Sequence, residues 1–188
     1  EANYYSEEIR RNIKDNYGFD KLYAEGLSIK SALDKDLQLY ALSALRKGIE
    51  SYDRRHGWRG PILNTKLDSN WKKKIKEKKL DPSLKWEFAE IVEVKDLEII
   101  FNVLNQKKNI TIKASDIKWA IKNTIYDSFK INDVIFVHKN LNNKWELKQY
   151  PKVNGAIVAI DPFSGKVKAL VGGFSFEASE FNRVTQAK

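Results

Sequence analysis

The 188-residue chain contains no cysteine and no methionine. Without cysteine there is no disulfide scaffold, no thiolate zinc site and no cysteine nucleophile, and the redox compartment stays undecided. Without methionine the chain lacks even an initiator, so we read it as a piece of something longer. No apolar run approaches the ~20 residues needed to cross a bilayer. The longest candidates, such as Gly155–Ile160, are strand-sized. No stretch of this sequence reads as a signal peptide. Hydrophobic residues make up 42% and charged ones 31%. That is an ordinary globular balance, and the length allows one or two domains of roughly 100–150 residues each.

The charge that is present is unevenly spread. There are 34 Lys+Arg against 25 Asp+Glu, a formal net charge of +9. Residues 61–85 carry 8 basic and 3 acidic side chains, more than half of the excess, whereas residues 86–150 carry 10 and 9. The basic stretch centres on Lys72, Lys73, Lys74, Lys76, Lys78 and Lys79. These six lysines form a candidate surface for an anionic partner, such as phosphates or an anionic membrane. The competing reading is a solvated helix or linker, because arginine, the preferred reader of bases and phosphates, is missing there. Trp71 and Trp86 flank the run and read as anchors for its ends, since two aromatics do not make a stacking platform.

Residues 5–16 predict a short helix with Ser6 as N-cap, Glu7 and Glu8 near its positive end, and Ile9 and Ile13 on one face. Gly18 ends it. Residues 26–33 read as extended, with Leu27, Ile29 and Ser31 on one side. Asp34 is a suitable N-cap for the strongest helix, about 35–53, whose apolar stripe is Leu37, Ala41, Ala44, Leu45, Gly48, Ile49 and Tyr52. The segment Asp53–Pro61, with Gly57, Gly60 and Pro61, stops it. His56 has no second histidine or carboxylate cluster nearby and reads as a surface or capping residue.

After the basic stretch the texture becomes stranded. Expected strands are Trp86–Val94, Leu97–Leu104, Ile110–Lys113, Val134–His138 and Trp145–Gln149, with a small helix over Ser115–Ile121 capped by Ser115. Five short strands and one small helix suit a closed barrel of the OB type, with a single meander packed on a neighbour as the alternative. OB-like barrels often bind nucleic acid through basic grooves and exposed aromatics. This region is near neutral, and its aromatics Phe88, Phe101, Trp119, Phe129, Phe136 and Trp145 are scattered as core residues are. Nucleic acid is therefore not an expected partner. Val153–Ile160 and Lys166–Val171 then predict a β-hairpin around the turn Asp161–Gly165, covered on both faces.

That hairpin and the residues after it resemble a known family. Gly155–Pro162, Ser164-Gly165, Ala169–Gly173 and Phe181–Ala187 are similar to the opening of the transpeptidase domain of class A penicillin-binding proteins. Val184 stands where the family usually has alanine. Tyr23–Gln38 resembles the family's linker after its glycosyltransferase domain, with Ser31-Ala32 departing from the commoner Thr-Thr. Asp53–Pro61 resembles a segment of the family's 1A subgroup, which carries an OB-like insertion between linker and transpeptidase.

The resemblance implies an α+β fold: a small five-stranded OB-like barrel inserted into a unit made of a helix and a β-hairpin. It divides the chain into a linker (1–60), a Lys-rich connecting segment (61–85), the OB-like domain (86–150) and the first transpeptidase hairpin (151–188), the last packing with 1–60. It implies a parent that is a bifunctional peptidoglycan glycosyltransferase and D-Ala-D-Ala transpeptidase, in the bacterial periplasm and tethered to the inner membrane by an upstream segment. The Ser-x-x-Lys nucleophile is expected roughly five residues beyond Lys188, and this stretch by itself is expected to be non-catalytic. No cofactor and no metal are implied. The expected role is that of a spacer and docking module, with the remainder of the parent, a regulatory protein at the OB-like domain and peptidoglycan as partners. The alternative is a stand-alone basic module for an anionic polymer or nucleic acid.

Overall fold

The computed structural model describes residues 2–18, 20, 23, 27–78, 80–104, 106 and 108–187. Its helices are α1 (Asn3–Tyr17), α2 (Lys35–Arg55), α3 (Trp71–Glu77) and α4 (Ile125–Ser128). Its strands are β1 (Leu63–Asn64), β2 (Trp86–Lys95), β3 (Glu98–Val103), β4 (Ile110–Lys113), β5 (Asp133–Lys139), β6 (Trp145–Lys148), β7 (Ile157–Ile160) and β8 (Val167–Val171). Glu1–Ile49 with Val153–Lys188 makes one compact unit, and Glu50–Lys152 makes the other.

In the first unit, the helix expected over 5–16 begins two residues earlier, and Ser6 is not its cap. The Ser6 backbone N–H already donates to the Ala2 carbonyl at 2.9 Å. The extra residues are drawn into the helix by two buried tyrosines. Tyr4 donates its hydroxyl to the Ser179 carbonyl at 2.7 Å, and Tyr5 donates to the Val167 carbonyl at 2.9 Å. A tyrosine buried with its hydroxyl satisfied combines a large apolar area with a paired polar tip. Gly26, expected to open an extended segment, lies outside the described residues, as do Ala24 and Glu25 of the linker resemblance. Residues 27–34 form no strand, and Leu27 and Ile29 are exposed. The Asp34 N–H nevertheless donates to the Lys168 carbonyl at 2.9 Å.

Asp34 caps α2 as expected: its Oδ1 accepts from the N–H groups of Asp36 at 3.1 Å and Leu37 at 3.0 Å. The buried face of α2 is rotated from the predicted stripe. Ala41 and Ile49 are buried, but Leu37, Ala44, Gly48 and Tyr52 are exposed. Gln38 takes the inner position instead, and its amide pairs with the backbone of Leu170 in both directions, at 2.9 and 3.1 Å.

β7 and β8 are antiparallel, and their turn is built by Asp161, whose Oδ1 accepts from Phe163 and Ser164 N–H groups. Gly165 closes it at a φ of +67°, a conformation that glycine adopts without the Cβ penalty. The hairpin is not covered on both faces. Ala169, Leu170 and Val171 of β8 are buried, but Val158 and Ile160 of β7 are 39% and 54% exposed.

In the second unit, the strand order is β1-β5-β2-β3-β4, and β6 also pairs with β5, along Phe136–Lys139, beyond the β1 pairing at Asp133–Val134. All pairings are antiparallel. Six strands, rather than five, share this sheet, because the two-residue β1 joins the edge of β5. No ladder joins β4 to β6 among the described residues, so hydrogen bonding does not close the sheet into a barrel. β3 alternates as a half-buried strand should, with Ile99, Phe101 and Val103 inward. β5 is central and buried from Asp133 to Val137. Its outer face is covered by Trp86 and Phe88, whose rings meet Phe136 at 5.7 and 5.2 Å between centroids. A bulge at Val92 shifts β2 against β3.

The small helix expected over Ser115–Ile121 is replaced by two 3-10 turns, Ala114–Asp116 and Lys118–Ala120. Ile117 and Ala120 are each only 1% exposed. Side chains three apart eclipse in a 3-10 turn, which puts both on the core. α4 follows with a capping box: the Asp127 N–H donates to Thr124 Oγ1, and the Thr124 N–H donates to Asp127 Oδ2.

Candidate functional site

The basic stretch forms α3. Its residues are exposed or half-buried, and none is buried. Lys74 donates to Asp68 Oδ2 at 2.6 Å and holds that carboxyl below its usual range. Lys73 pairs with Glu77 at 3.8 Å, and Lys72 lies over the Trp71 ring at 5.6 Å. Lys76 and Lys78 have no carboxylate within ion-pair distance among the described residues. Lys79 lies outside the described residues. Lys72, Lys73, Lys74 and Lys76 are thus brought to one short, exposed helix with Lys78 just past its end, and two of them already hold carboxylates of their own segment.

The sequence signals missed a tighter constellation in the same unit. Asp53, at the C-terminal end of α2, is only 3% exposed. It accepts from Arg59 Nη1 and Nη2 at 2.9 Å each, from Gln149 Nε2 at 2.9 Å and from the Lys152 N–H at 3.1 Å. Burial alone would raise its pKa; the hydrogen bonds from Arg59, Gln149 and Lys152 outweigh that and lower it. Arg59 also donates to the Tyr150 carbonyl at 2.7 Å. Together these bonds tie residues 53–59 to residues 149–152, the two chain ends of this unit. Beside them Lys148, almost buried, donates to Glu50 at 2.7 Å.

Trp58, read only as part of a helix-stopping segment, is a core residue. It is 8% exposed, donates its indole N–H to the Ser128 carbonyl at 3.2 Å, and meets Trp119 edge-on at 5.8 Å and Phe129 at 5.5 Å. A tryptophan between two glycines in a turn-rich run is the signal that could have found it. His56 sits at the end of α2 with Nδ1 3.0 Å from the Tyr52 carbonyl.

In the first unit the motif Phe181–Ala187 is organised by buried Asn182. Its Oδ1 accepts from the Val184 N–H at 3.1 Å, its N–H donates to Gln186 Oε1 at 2.7 Å, and its Nδ2 donates to Glu8 at 3.2 Å. Thr185 donates to the same Glu8 oxygen at 2.9 Å. The Gly172-Gly173 pair has a steric reason: a Cβ on Gly172 would collide with Asn182, and one on Gly173 with the Tyr4 hydroxyl.

The Ser-x-x-Lys spacing occurs twice in the chain, at Ser69–Lys72 and Ser115–Lys118. All four of these side chains are exposed, and among the described residues neither serine is bonded to its lysine. A nucleophile needs its base within hydrogen-bond reach, so neither pair has the arrangement of an acylating site.

A sheet of short antiparallel strands around a core of its own defines an OB-like module, and comparison with known proteins agrees. The family model for the penicillin-binding protein OB-like domain matches residues 58–153. This chain belongs to the penicillin-binding proteins with an OB-like domain, in their 1A type. Penicillin-binding protein 1A of Rickettsia felis is 37% identical over 190 residues, covering 99% of this chain and 24% of that protein. The one from Escherichia coli is 31% identical over 201 residues, with 99% and 23% covered. The crystal structure of penicillin-binding protein 1A from Haemophilus influenzae superposes with a TM-score of 0.79 at 27% identity, covering 99% of this chain and 28% of that one. The chain therefore spans about a quarter of the length of the curated relatives it matches. The comparisons lend no support to a stand-alone basic module. No described helix is long and apolar enough to cross a membrane.

Proposed function

We propose that this chain is a non-catalytic portion of a bifunctional peptidoglycan glycosyltransferase and transpeptidase, serving as a spacer and as a docking module for a regulatory partner. The match of residues 58–153 to the OB-like domain carries this reading, together with likeness to penicillin-binding protein 1A across 99% of the chain. The parent works in the bacterial periplasm, tethered to the inner membrane by a segment upstream. The β4 and β6 edges act as the seam of an OB-type barrel, closed by side chains rather than by a ladder. The Asp53 cluster fits a spacer: it fixes the two ends of the inserted module against each other, so the module is held at its base and presents its remaining surface. The lysines of α3 form a solvated face that keeps the connecting segment wet.

The test uses fluorescent penicillin and the full-length parent. The parent is labelled, and a parent with residues 62–146 replaced by a short linker is still labelled but loses stimulation by its regulator. Covalent labelling of the isolated 188-residue chain would overturn the non-catalytic assignment, and unchanged stimulation in the deletion would overturn the docking role.

A further inference from the structure

Between the facing edges of β4 and β6 lies a cleft of about 160 Å³. Two half-buried tryptophans line it, Trp119 and Trp145, with Arg54, Asp116, Lys144 and Glu146 around them. Both indoles are held from behind by the core: Trp119 meets Trp58 edge-on at 5.8 Å, and Trp145 meets Phe101 edge-on at 5.9 Å. Such rings are fixed before any ligand arrives, which lowers the ordering cost of binding.

The charges in the cleft are balanced. Two are basic and two acidic, and each is partnered within the protein. Lys144 pairs with Asp116 at 2.8 Å. Glu146 accepts from Asn140 at 2.8 Å and from Lys148 at 3.3 Å. Arg54 donates to the Leu147 carbonyl at 3.3 Å and stands 5.1 Å from the centre of the Trp119 ring. With no excess of positive charge, the cleft offers a phosphate chain little. What it does offer is an alternation of donors and acceptors beside two indoles, of which Trp119 already carries Arg54 over its ring and Trp145 carries no cation among the described residues. A guanidinium carries five N–H groups, an ammonium three, and a carboxylate about four acceptor sites, so capacity remains after the internal pairs are made.

The ligand that matches this surface is uncharged, has one flat face of C–H groups, and is rimmed by hydroxyls. We propose that the β4–β6 cleft takes a pyranose ring of a glycan chain, its C–H face against a tryptophan and its hydroxyls on the four charged side chains. The volume lies below the ~300 Å³ at which drug-sized pockets begin, which fits one ring rather than a larger molecule. The inference deepens the cell-wall reading above by naming a ligand class for the module. Its test reads binding directly, so its failure is distinguishable from failure of that reading, which is tested by labelling and stimulation.

The 188-residue chain is titrated with a β-1,4-linked N-acetylglucosamine tetramer, followed by tryptophan fluorescence and calorimetry, at about 50 and 200 mM salt. An oligonucleotide of similar length is the comparison. The expected result is saturable binding of the saccharide that changes little with salt. Trp145→Leu weakens it about tenfold, the scale of one lost ring-face contact. Asp116→Asn, an exposed change that spares the core, weakens it several-fold and covers the case in which Trp145→Leu fails to fold. No binding at millimolar saccharide overturns the proposal. So does binding that a folded Trp145→Leu and Asp116→Asn leave unchanged, and so does salt-steep binding of the oligonucleotide alone.

Discussion

Asp53 and Arg59, six residues apart, face each other as a two-pronged ion pair, both guanidinium Nη atoms 2.9 Å from the carboxylate oxygens. The pair is stronger than a surface bridge for two reasons. The carboxylate is almost fully buried, and a fork-to-fork arrangement adds geometric specificity to the charge attraction. Removing the carboxylate leaves the guanidinium, the Gln149 amide and the Lys152 N–H without their acceptor. Asp53→Ala is therefore expected to cost about 2–4 kcal/mol, seen as a lower urea midpoint with an unchanged slope. A change within the error of the midpoint would show that solvent replaces the carboxylate readily.

The same pair gives a pH dependence of defined sign. Asp53 has a lowered pKa in the folded chain, against 3.8 for the ordinary carboxyl. A depressed native pKa means the unfolded chain binds the proton more readily, so the contribution is fully present above the unfolded value and is lost as pH falls through the folded one. The stability gap between wild type and Asp53→Asn should be constant from about pH 7 to 5 and shrink below pH 4. A gap that instead opened on acidification would mean the charge is not what the site recognises.

How far the sequence discloses this structure depends on the range of the forces involved. The Asp34 cap and the Asp161 turn rest on neighbours in sequence, the strands from Trp86 to Val171 show in their local residue pattern, and each lies within a few residues of its expected place. Three features escaped for physical reasons. The start of α1 is set by Tyr4 and Tyr5, whose partners lie 162 to 175 residues away. The expected helix at 115–121 gives way to 3-10 turns because the core asks for Ile117 and Ala120 on one side. The Asp53 cluster draws on Gln149 and Lys152, 96 and 99 residues along the chain. The six lysines were legible as a charge run, but their pairing with Asp68 and Glu77 depends on how that run winds into a helix.

Gly172 supplies a steric prediction. Its backbone φ is not in the left-handed region, so conformational strain is not the issue; the obstacle is Asn182, against which any Cβ would press. Asn182 is buried and bonded on both ends of its amide, so it cannot swing aside cheaply. Gly172→Ala is expected to destabilise the chain by about 1–3 kcal/mol, the usual cost of overpacking. Because two compact units are present, the loss should register by amide exchange in α1 and β8 and leave β2–β5 protected. Uniform loss of protection across β2–β5 would contradict the independence of the two cores.

Trp58 supplies the counterpart in the other core. It fills the space between Trp119 and Phe129 and is bonded through its indole nitrogen to the Ser128 carbonyl, so truncation removes packing and a buried hydrogen bond together. Trp58→Ala is expected to cost about 3–5 kcal/mol, and Trp58→Phe less, because the ring volume is largely kept and only the carbonyl partner is lost. The readout is a denaturation midpoint, with near-ultraviolet circular dichroism reporting the loss of the fixed aromatic cluster. The lysines in and just after α3 are the control for these core changes. Lys72, Lys76 and Lys78 are exposed, and replacing all three with glutamine should shift stability by no more than about 0.5 kcal/mol each. A larger shift would mean that these side chains hold the fold through contacts their exposure does not reveal.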